Sequence, residues 1–217
     1  NSPNNPSGVV FTREKLEAAC ALLKKKSKEY GHVIYLISDE PYRELVYGDV
    51  KVPYLTNYYD DTIVCYSFSK SLSLPGERIG YLVIHSEMEE FEETIGAAAV
   101  ANRILGFVNA PSLFQRVIGR CVDEVSDMTI YRENKEILYK ELTAMGYEMA
   151  KPDGAFYLFI KAPGGDAVAF SEKAKQKDLL LVPGDGFGCP GYFRICYCVS
   201  YEMIQKSLPV FRALIEE

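Results

Sequence analysis

Apolar residues along the first 85 positions recur first at a helical spacing and then in short runs. Thr12 is a typical helix N-cap, Gly31 ends the segment, and the apolar residues between them have helical spacing: Leu16, Ala19, Cys20 and Leu23. Three apolar runs follow, each with the length of a buried strand: 33–37, 62–68 and 79–84. Strands and helices in alternation predict an α/β fold with a mostly parallel sheet and helices on its faces.

The second half of the chain has a different pattern. From residue 86 to about residue 145 the apolar spacing is helical, which predicts a long connector between two domains. Shorter elements are predicted after it: strands at 155–160, 179–182 and 192–199, and helices at 168–177 and from 202 onwards. We therefore expect residues 1–115 to be part of a large domain and residues 116–217 to form a smaller α+β domain.

Composition narrows the class of partner. With 217 residues, 48% of them apolar, the chain can fill a substantial core. The formal charge is −6, and the 24 basic residues are interspersed with 30 acidic ones, so we expect small metabolites and no nucleic acid. No apolar run reaches the roughly 18–20 residues that span a membrane, and no signal peptide is evident, so we expect a cytoplasmic protein without a membrane partner.

The cysteines, the histidines and the N-terminal residues lead to three further expectations. We expect all six cysteines to be reduced; Cys196 and Cys198 should lie on one face of a strand but in poor positions for a shared disulfide. His32 and His85 stand alone, so no metal site is expected. The chain begins with Asn1-Ser2-Pro3-Asn4-Asn5-Pro6-Ser7-Gly8 and without a methionine, so we expect it to be part of a longer protein.

The segment after the second predicted strand carries candidate chemistry. Lys70 follows that strand among hydroxyl residues, and Arg78 lies in a Pro-Gly turn eight residues later. A lysine with a lowered pKa can attack a carbonyl, and the planar fork of arginine suits a phosphate. Alone, the pair is equally compatible with a solvent-exposed lysine and an Arg78–Glu77 ion pair.

Asp39 changes that balance because it ends the preceding buried strand. Pyridoxal phosphate (PLP) combines a carbonyl and a phosphate, and it needs an acid beside its pyridine nitrogen to act as an electron sink. Asp39 can supply that acid, and Tyr42 and Asn5 can hydrogen-bond the ring oxygen of the cofactor. Otherwise, Asp39 would cap the turn before Pro41 and Tyr42 would be a packed aromatic residue.

Four motifs in order resemble the class I/II aminotransferases, which are fold-type I PLP-dependent enzymes, and the resemblance covers essentially the whole chain. The motifs are Asn4-Asn5-Pro6-Ser7-Gly8, Asp39-Glu40-Pro41-Tyr42, Ser67-Phe68-Ser69-Lys70 with Arg78, and Phe193-Arg194-Ile195. The family has Thr as often as Ser before the glycine of the first motif. The resemblance implies that residues 1–115 are the C-terminal part of the large PLP-binding domain and residues 116–217 the small domain.

The resemblance also implies a role for each site residue. Lys70 would hold PLP as a Schiff base and act as the general base, and Asp39 would pair with the pyridine nitrogen. Ser67 and Arg78 would bind the phosphate, with Ser69 a weaker candidate. Asn5 and Tyr42 would bind the ring oxygen.

Arg194 lies in an otherwise apolar predicted strand, where an unpaired guanidinium would be costly to bury. The resemblance implies that it binds the α-carboxylate of the substrate bidentately. The alternative is a structural ion pair with an acid such as Asp185.

The resemblance implies an aminotransferase that moves an amino group from an amino acid, such as aspartate or a large neutral or aromatic one, to an α-keto acid. The family's N-terminal half, which completes the cofactor site, is not in this sequence, so the chain alone should be poorly active; the full-length protein should be a homodimer. Three alternatives stay open: a PLP-dependent C–S β-lyase, an effector-sensing domain of a transcriptional regulator, and a non-catalytic fragment that only dimerises.

Overall fold

The structure is a computed structural model that describes residues 1–216. Its helices are α1 (Arg13–Tyr30), α2 (Phe68–Ser71), α3 (Phe91–Ile104), α4 (Ser112–Cys121), α5 (Thr129–Ala144), α6 (Ala167–Lys175) and α7 (Tyr201–Glu216). Its strands are β1 (Leu36–Asp39), β2 (Thr62–Ser67), β3 (Gly80–Ile84), β4 (Tyr157–Lys161), β5 (Val182–Pro183) and β6 (Tyr192–Cys196).

The chain forms two compact units. Unit 1 comprises Asn1–Ser2, Phe11–Glu44 and Lys51–Ser126, and unit 2 comprises Pro3–Val10, Leu45–Val50 and Asp127–Glu217, of which residues up to 216 are described. Two short segments from the first fifty residues thus belong to the same unit as the C-terminal elements.

Unit 1 contains a three-stranded sheet in the order β1-β2-β3. Strands β1 and β2 are parallel, with Asp39 opposite Cys65, and β3 runs antiparallel to β2, with Gly80 opposite Ser67. A side chain at position 80 would collide with the carbonyl oxygen of Tyr66, so glycine lets the two strands approach here. The predicted α/β class is confirmed, and β3 is the antiparallel member of its sheet.

The long helix predicted between residues 86 and 145 is wrong, because three shorter helices occupy this segment. Gly106 has a left-handed backbone (φ +80°) just after α3, and Pro111, which has no N–H group to donate, precedes α4. On α4 the residue that packs into the core is Ile118, which contacts the cluster of Phe68 and Ile79. Leu113 and Val117 of the same helix are exposed.

Unit 2 contains an antiparallel sheet in the order β4-β6-β5. Leu158, Ile160 and Phe193 are completely buried in its core. Strand β5 consists of Val182 and Pro183, so only Val182 of the strand predicted at 179–182 is in the sheet; Pro183 has no N–H group to extend the ladder. Strand β6 ends at Cys196, three residues before the predicted end.

Two further predictions concern the whole described chain. Within residues 1–216, no helix combines the length and the apolar character needed to cross a membrane. All six cysteines, which lie within residues 1–216, are reduced thiols, and the Sγ atoms of Cys196 and Cys198 lie 3.1 Å apart.

Candidate functional site

The turn after β1 in unit 1 carries two of the predicted site residues, Asp39 and Tyr42. Asp39 is exposed at the end of the strand, and Tyr42 is buried. The backbone N–H of Glu40 donates to the carbonyl oxygen of Cys65 (2.8 Å), which fixes the start of the turn on the neighbouring strand. Burial and the nearby charge of Asp39 raise the pKa of the Cys65 thiol, so this cysteine stays protonated.

A buried ion pair stabilises the same turn. Glu40 accepts hydrogen bonds from the Ser38 hydroxyl (2.7 Å) and from Nε of Arg43 (2.5 Å). Arg43 also donates to the carbonyl oxygens of residues 52 and 53 and lies over the ring of Tyr54, 3.8 Å from its centroid. Both charges are thus compensated, as buried charges must be, and the backbone between Asp39 and Tyr42 is held in one conformation.

The end of β2 leads directly into the helix that contains Lys70. Ser67 is the N-cap of α2, and its Oγ accepts a hydrogen bond from the backbone N–H of Ser69 (3.2 Å). The two hydroxyl groups are 2.7 Å apart. A hydroxyl N-cap therefore places Ser67, Ser69 and Lys70 within one turn at the carboxyl end of a parallel strand, where α/β sheets bind ligands.

A second polar network contacts the C-terminal end of α2. The hydroxyl of Tyr66 lies 2.8 Å from the carboxylate of Glu44 and 2.9 Å from Oγ of Ser71, which is buried. Burial, with a smaller contribution from Glu44, raises the pKa of Tyr66, so the phenol keeps its proton and remains a donor. The bond between Tyr66 and Ser71 ties the C-terminal end of α2 to strand β2.

Arg78 follows the turn of residues 75–77 and has a left-handed backbone, with φ +52°. This conformation is unfavourable for a residue with a Cβ, so the surrounding structure must hold it. Its Nη1 donates to the carbonyl oxygen of Pro75 (2.7 Å). Strain at a predicted ligand-binding residue is consistent with a functional constraint.

Ser67, Ser69 and Arg78 line one cleft of about 880 Å³ in unit 1. Its other walls come from Tyr81, from Asn102 in α3 and from residues between 106 and 122, which include Gln115 in α4. Two hydroxyls and a guanidinium form a donor set that suits a phosphate group. In the part of the chain that the structure describes, Asp39, Tyr42 and Lys70 do not line this cleft.

The predicted residues Asn5 and Arg194 lie together in unit 2. The turn of Asn5 is closed by the N–H of Gly8, which donates to the carbonyl oxygen of Asn4 (2.7 Å). The N–H groups of Asp153 and Gly154 both donate to the carbonyl oxygen of Gly8 (2.9 Å each). The close packing needs glycine at position 8, because its φ is +70° and a Cβ there would lie 2.9 Å from the carbonyl oxygen of Gly154.

Arg194 occupies the central strand β6 and is half-buried. Its Nη1 donates to Oδ1 of Asn5 (2.8 Å), which joins the N-terminal turn to strand β6. Among residues 1–216, no carboxylate forms an ion pair with Arg194, and the alternative pairing with Asp185 is not observed.

Sequence reasoning missed the residues that hold these groups in place. Arg43 lies three positions after Glu40, a spacing that could have indicated the ion pair. The backbone bonds of Asp153 and Gly154 to Gly8 join segments far apart in the sequence, so no local pattern predicts them. Two aromatic rings, those of Tyr157 and Phe187, lie against Arg194. The sequence did not indicate these contacts, because Tyr157 is 37 positions away and Phe187 lies in a different element.

The chain is similar to known proteins along almost its whole length. The family model of aminotransferase class I and II matches residues 1–210. An aspartate aminotransferase from Thermotoga maritima is 32% identical over 210 residues, which are 96% of this chain and 53% of that protein. An aromatic-amino-acid aminotransferase from Thermococcus litoralis is 30% identical over 229 residues, which cover all of this chain and 56% of that protein.

A solved structure shares the fold. The crystal structure of an amino transferase from Eubacterium rectale is 54% identical and has a TM-score of 0.96, over all of this chain and 54% of that one. The chain thus spans about half the length of the relatives that it matches. With a family match over nearly every residue and the fold of a solved relative, the chain belongs to the class I and II aminotransferases.

Proposed function

We propose that the full-length protein is a PLP-dependent aminotransferase and that this chain contributes the lysine and most of the polar contacts of its site. Residues 1–115 would belong to the cofactor-binding domain and residues 116–217 to the small domain. By the same resemblance, the full-length protein would act as a homodimer in the cytoplasm.

The observation that carries the proposal is the cleft of unit 1. Ser67, Ser69 and Arg78 supply hydroxyl and guanidinium donors to one cleft, and Lys70 follows on the same helix. The serines that would bind a phosphate there are close in sequence to Lys70. The amine of Lys70 can react with a carbonyl. The donor set therefore fits PLP.

Each residue has a defined task under this proposal. When bound, PLP supplies the electron sink that stabilises negative charge at the α-carbon of the substrate. Asp39 would keep the pyridine nitrogen protonated, and the hydroxyl of Tyr42 and the amide of Asn5 would donate to the ring oxygen. The Lys70 amine would bind the cofactor and move a proton to and from the α-carbon. Arg194 would bind the substrate carboxylate through its remaining N–H groups.

The relatives supply the substrate class. Their names include aspartate and aromatic-amino-acid aminotransferase. We therefore propose an aspartate-type or aromatic amino acid as the amino donor and an α-keto acid as the acceptor.

The test is an amino-transfer assay on the full-length protein with L-aspartate or L-phenylalanine and 2-oxoglutarate. The proposal predicts glutamate and the matching keto acid in equal amounts, and at least a thousand-fold loss, in order of magnitude, in Lys70→Ala. Release of ammonia and pyruvate from a sulfur amino acid, without glutamate formation, would instead indicate a β-lyase. Absence of any cofactor from the purified protein would overturn both.

A further inference from the structure

Two aromatic rings lie against the guanidinium of Arg194. Its Cζ is over the ring of Tyr157, 4.6 Å from the centroid, and over the ring of Phe187, 4.9 Å from the centroid. Both distances are inside the range of about 6 Å in which a cation is attracted to an aromatic face. The proposed function so far gives these two rings no role.

The strand around Arg194 is apolar. Its partners directly across the sheet are Phe159 on β4 and Val182 on β5. With Asn5 as its polar partner and no ion pair to a carboxylate in residues 1–216, the guanidinium keeps its positive charge uncompensated by any acid. The two rings are the aromatic contacts that stabilise this cation.

Phe187 is itself held in place. It ends a short 3₁₀ turn over residues 184–187 and makes an edge-to-face contact with Phe159 (6.4 Å, 89°). Phe159 in turn stacks on Tyr192 (5.2 Å, 18°). A side chain at Gly184 would collide with the carbonyl oxygen of Cys189 and lie 3.0 Å from Cζ of Phe159, so the turn reaches this position because residue 184 is glycine.

This arrangement restricts how Arg194 can meet a ligand. Guanidinium faces are weakly hydrated and stack on rings, whereas the N–H donors all lie in the guanidinium plane. With Cζ over two rings and Nη1 on Asn5, the guanidinium is held at three contacts, and its remaining N–H donors lie in its own plane. A planar carboxylate can accept hydrogen bonds from two of these N–H groups at once. A freely rotating arginine would lose conformational entropy on binding a carboxylate in this way.

We infer that Tyr157 and Phe187 are positioning residues that orient Arg194 for a planar carboxylate. The inference rests on the proposed function in one respect: the carboxylate is that of the amino-acid substrate. Neither ring needs to touch the reacting atoms.

The first test measures binding in the full-length protein. L-aspartate and L-phenylalanine, each with its α-carboxamide, are titrated by calorimetry into the unmodified protein and three variants: Tyr157→Leu, Tyr157→Phe and Phe187→Leu. From the strength of a single cation–π contact, affinity for the ligand with the carboxylate should fall about three- to thirty-fold in Tyr157→Leu and about two- to five-fold in Phe187→Leu. Tyr157→Phe keeps the ring and should keep the affinity, and the carboxamides should change little.

The second test reports on the orientation of Arg194 whether or not cofactor is present. In protein labelled with ¹⁵N-arginine, the Nε–H resonance of Arg194, assigned with Arg194→Lys, should be displaced by the ring currents of both aromatic residues. Tyr157→Leu and Phe187→Leu should each reduce that displacement. Phe170→Leu is the matched control, because this buried ring stacks on Phe193 and does not lie over Arg194.

The two tests separate the possible failures. If the protein binds no PLP but the Arg194 resonance responds to both rings, the proposed function fails and the positioning role stands. If cofactor binding and turnover are normal but neither leucine variant moves the resonance, the rings do not position Arg194. The inference would be overturned if the leucine variants lost affinity equally for carboxylate and carboxamide, or if Phe170→Leu had the same effect as they do. Either result would show that the rings act only through general packing.

Discussion

The two sheets of the molecule are stabilised in different ways. In unit 2 the strands bury their apolar side chains, with Leu158 and Phe193 fully inaccessible. In unit 1 of this chain, which spans about half the length of its relatives, the apolar residues of the sheet are open, with Ile37 66% and Leu82 46% exposed. The geometry of the predicted cofactor residues in unit 1 therefore depends on polar side-chain contacts, such as the ion pair of Glu40, whereas the surroundings of Arg194 depend on packing.

Breaking the buried ion pair should have the largest effect on stability. Arg43→Leu removes the partner of the Glu40 carboxylate, which is 4% exposed and would stay buried with a charge. We expect a loss of about 3–5 kcal/mol in the free energy of unfolding of unit 1, because an uncompensated buried charge is costly. Urea unfolding followed by hydrogen exchange in β1 and β2 measures it. A loss below about 1 kcal/mol would show that polar contacts do not stabilise this unit.

A matched pair of leucines tests the packing side of the comparison. Leu158→Ala in β4 should cost about 2–5 kcal/mol, since it leaves a cavity in a closed core. Leu82→Ala in β3 removes the same atoms from a half-exposed position and should cost less than about 1 kcal/mol. Urea unfolding of both variants measures the difference, and equal losses would contradict it.

Local patterns predicted much of the fold but little of what joins distant segments. Helix α1 was predicted with both of its caps, Thr12 and Gly31, because helix ends have local signals. The breaks between α3, α4 and α5 were missed although Gly106 and Pro111 mark the first of them. Apolar spacing alone continues across such a break, so it cannot show where a helix ends.

The site shows the same limit. The motifs located Ser67, Ser69 and Arg78, which the structure places in one cleft, and Asn5 with Arg194, which it joins by a hydrogen bond. These contacts join residues that are up to 189 positions apart. The bonds between Gly8 and Asp153 and the rings over Arg194 depend on tertiary folding, and no local spacing encodes them.

Arg78→Leu tests the cleft of unit 1 as the phosphate site. In the full-length protein we expect the Kd for PLP to rise about ten- to a hundred-fold, because the charged donor of the phosphate cleft is lost. Ser69→Ala, which removes one neutral donor from the same cleft, serves as the milder comparison. Equilibrium dialysis gives both values. A Kd for PLP unchanged by Arg78→Leu would exclude this cleft as the phosphate site.

The smallest predicted effect is an alkaline loss of stability in unit 2. Burial raises the pKa of Tyr47, whose hydroxyl donates to the carbonyl oxygen of Ala155 (2.7 Å), to about 12. The unfolded chain loses this proton near pH 10 and the folded chain keeps it, so the contribution is complete below pH 10 and declines as pH rises towards 12. Between pH 10 and 11 we expect a loss of about 1 kcal/mol, from the energy of one pKa unit.

Urea unfolding of the unmodified protein and of Tyr47→Phe at pH 9, 10 and 11 measures this contribution. The variant lacks the titrating group, so its stability should decline less steeply over this range. Identical slopes would show that the Tyr47 phenol does not contribute.

Borohydride reduction of the full-length protein tests the central claim most directly. Reduction should fix PLP covalently, and peptide mapping should find the added mass on the peptide that contains Lys70, with none in Lys70→Ala. The account predicts modification at Lys70 alone. Modification of a different lysine, or of the same extent in Lys70→Ala, would contradict it.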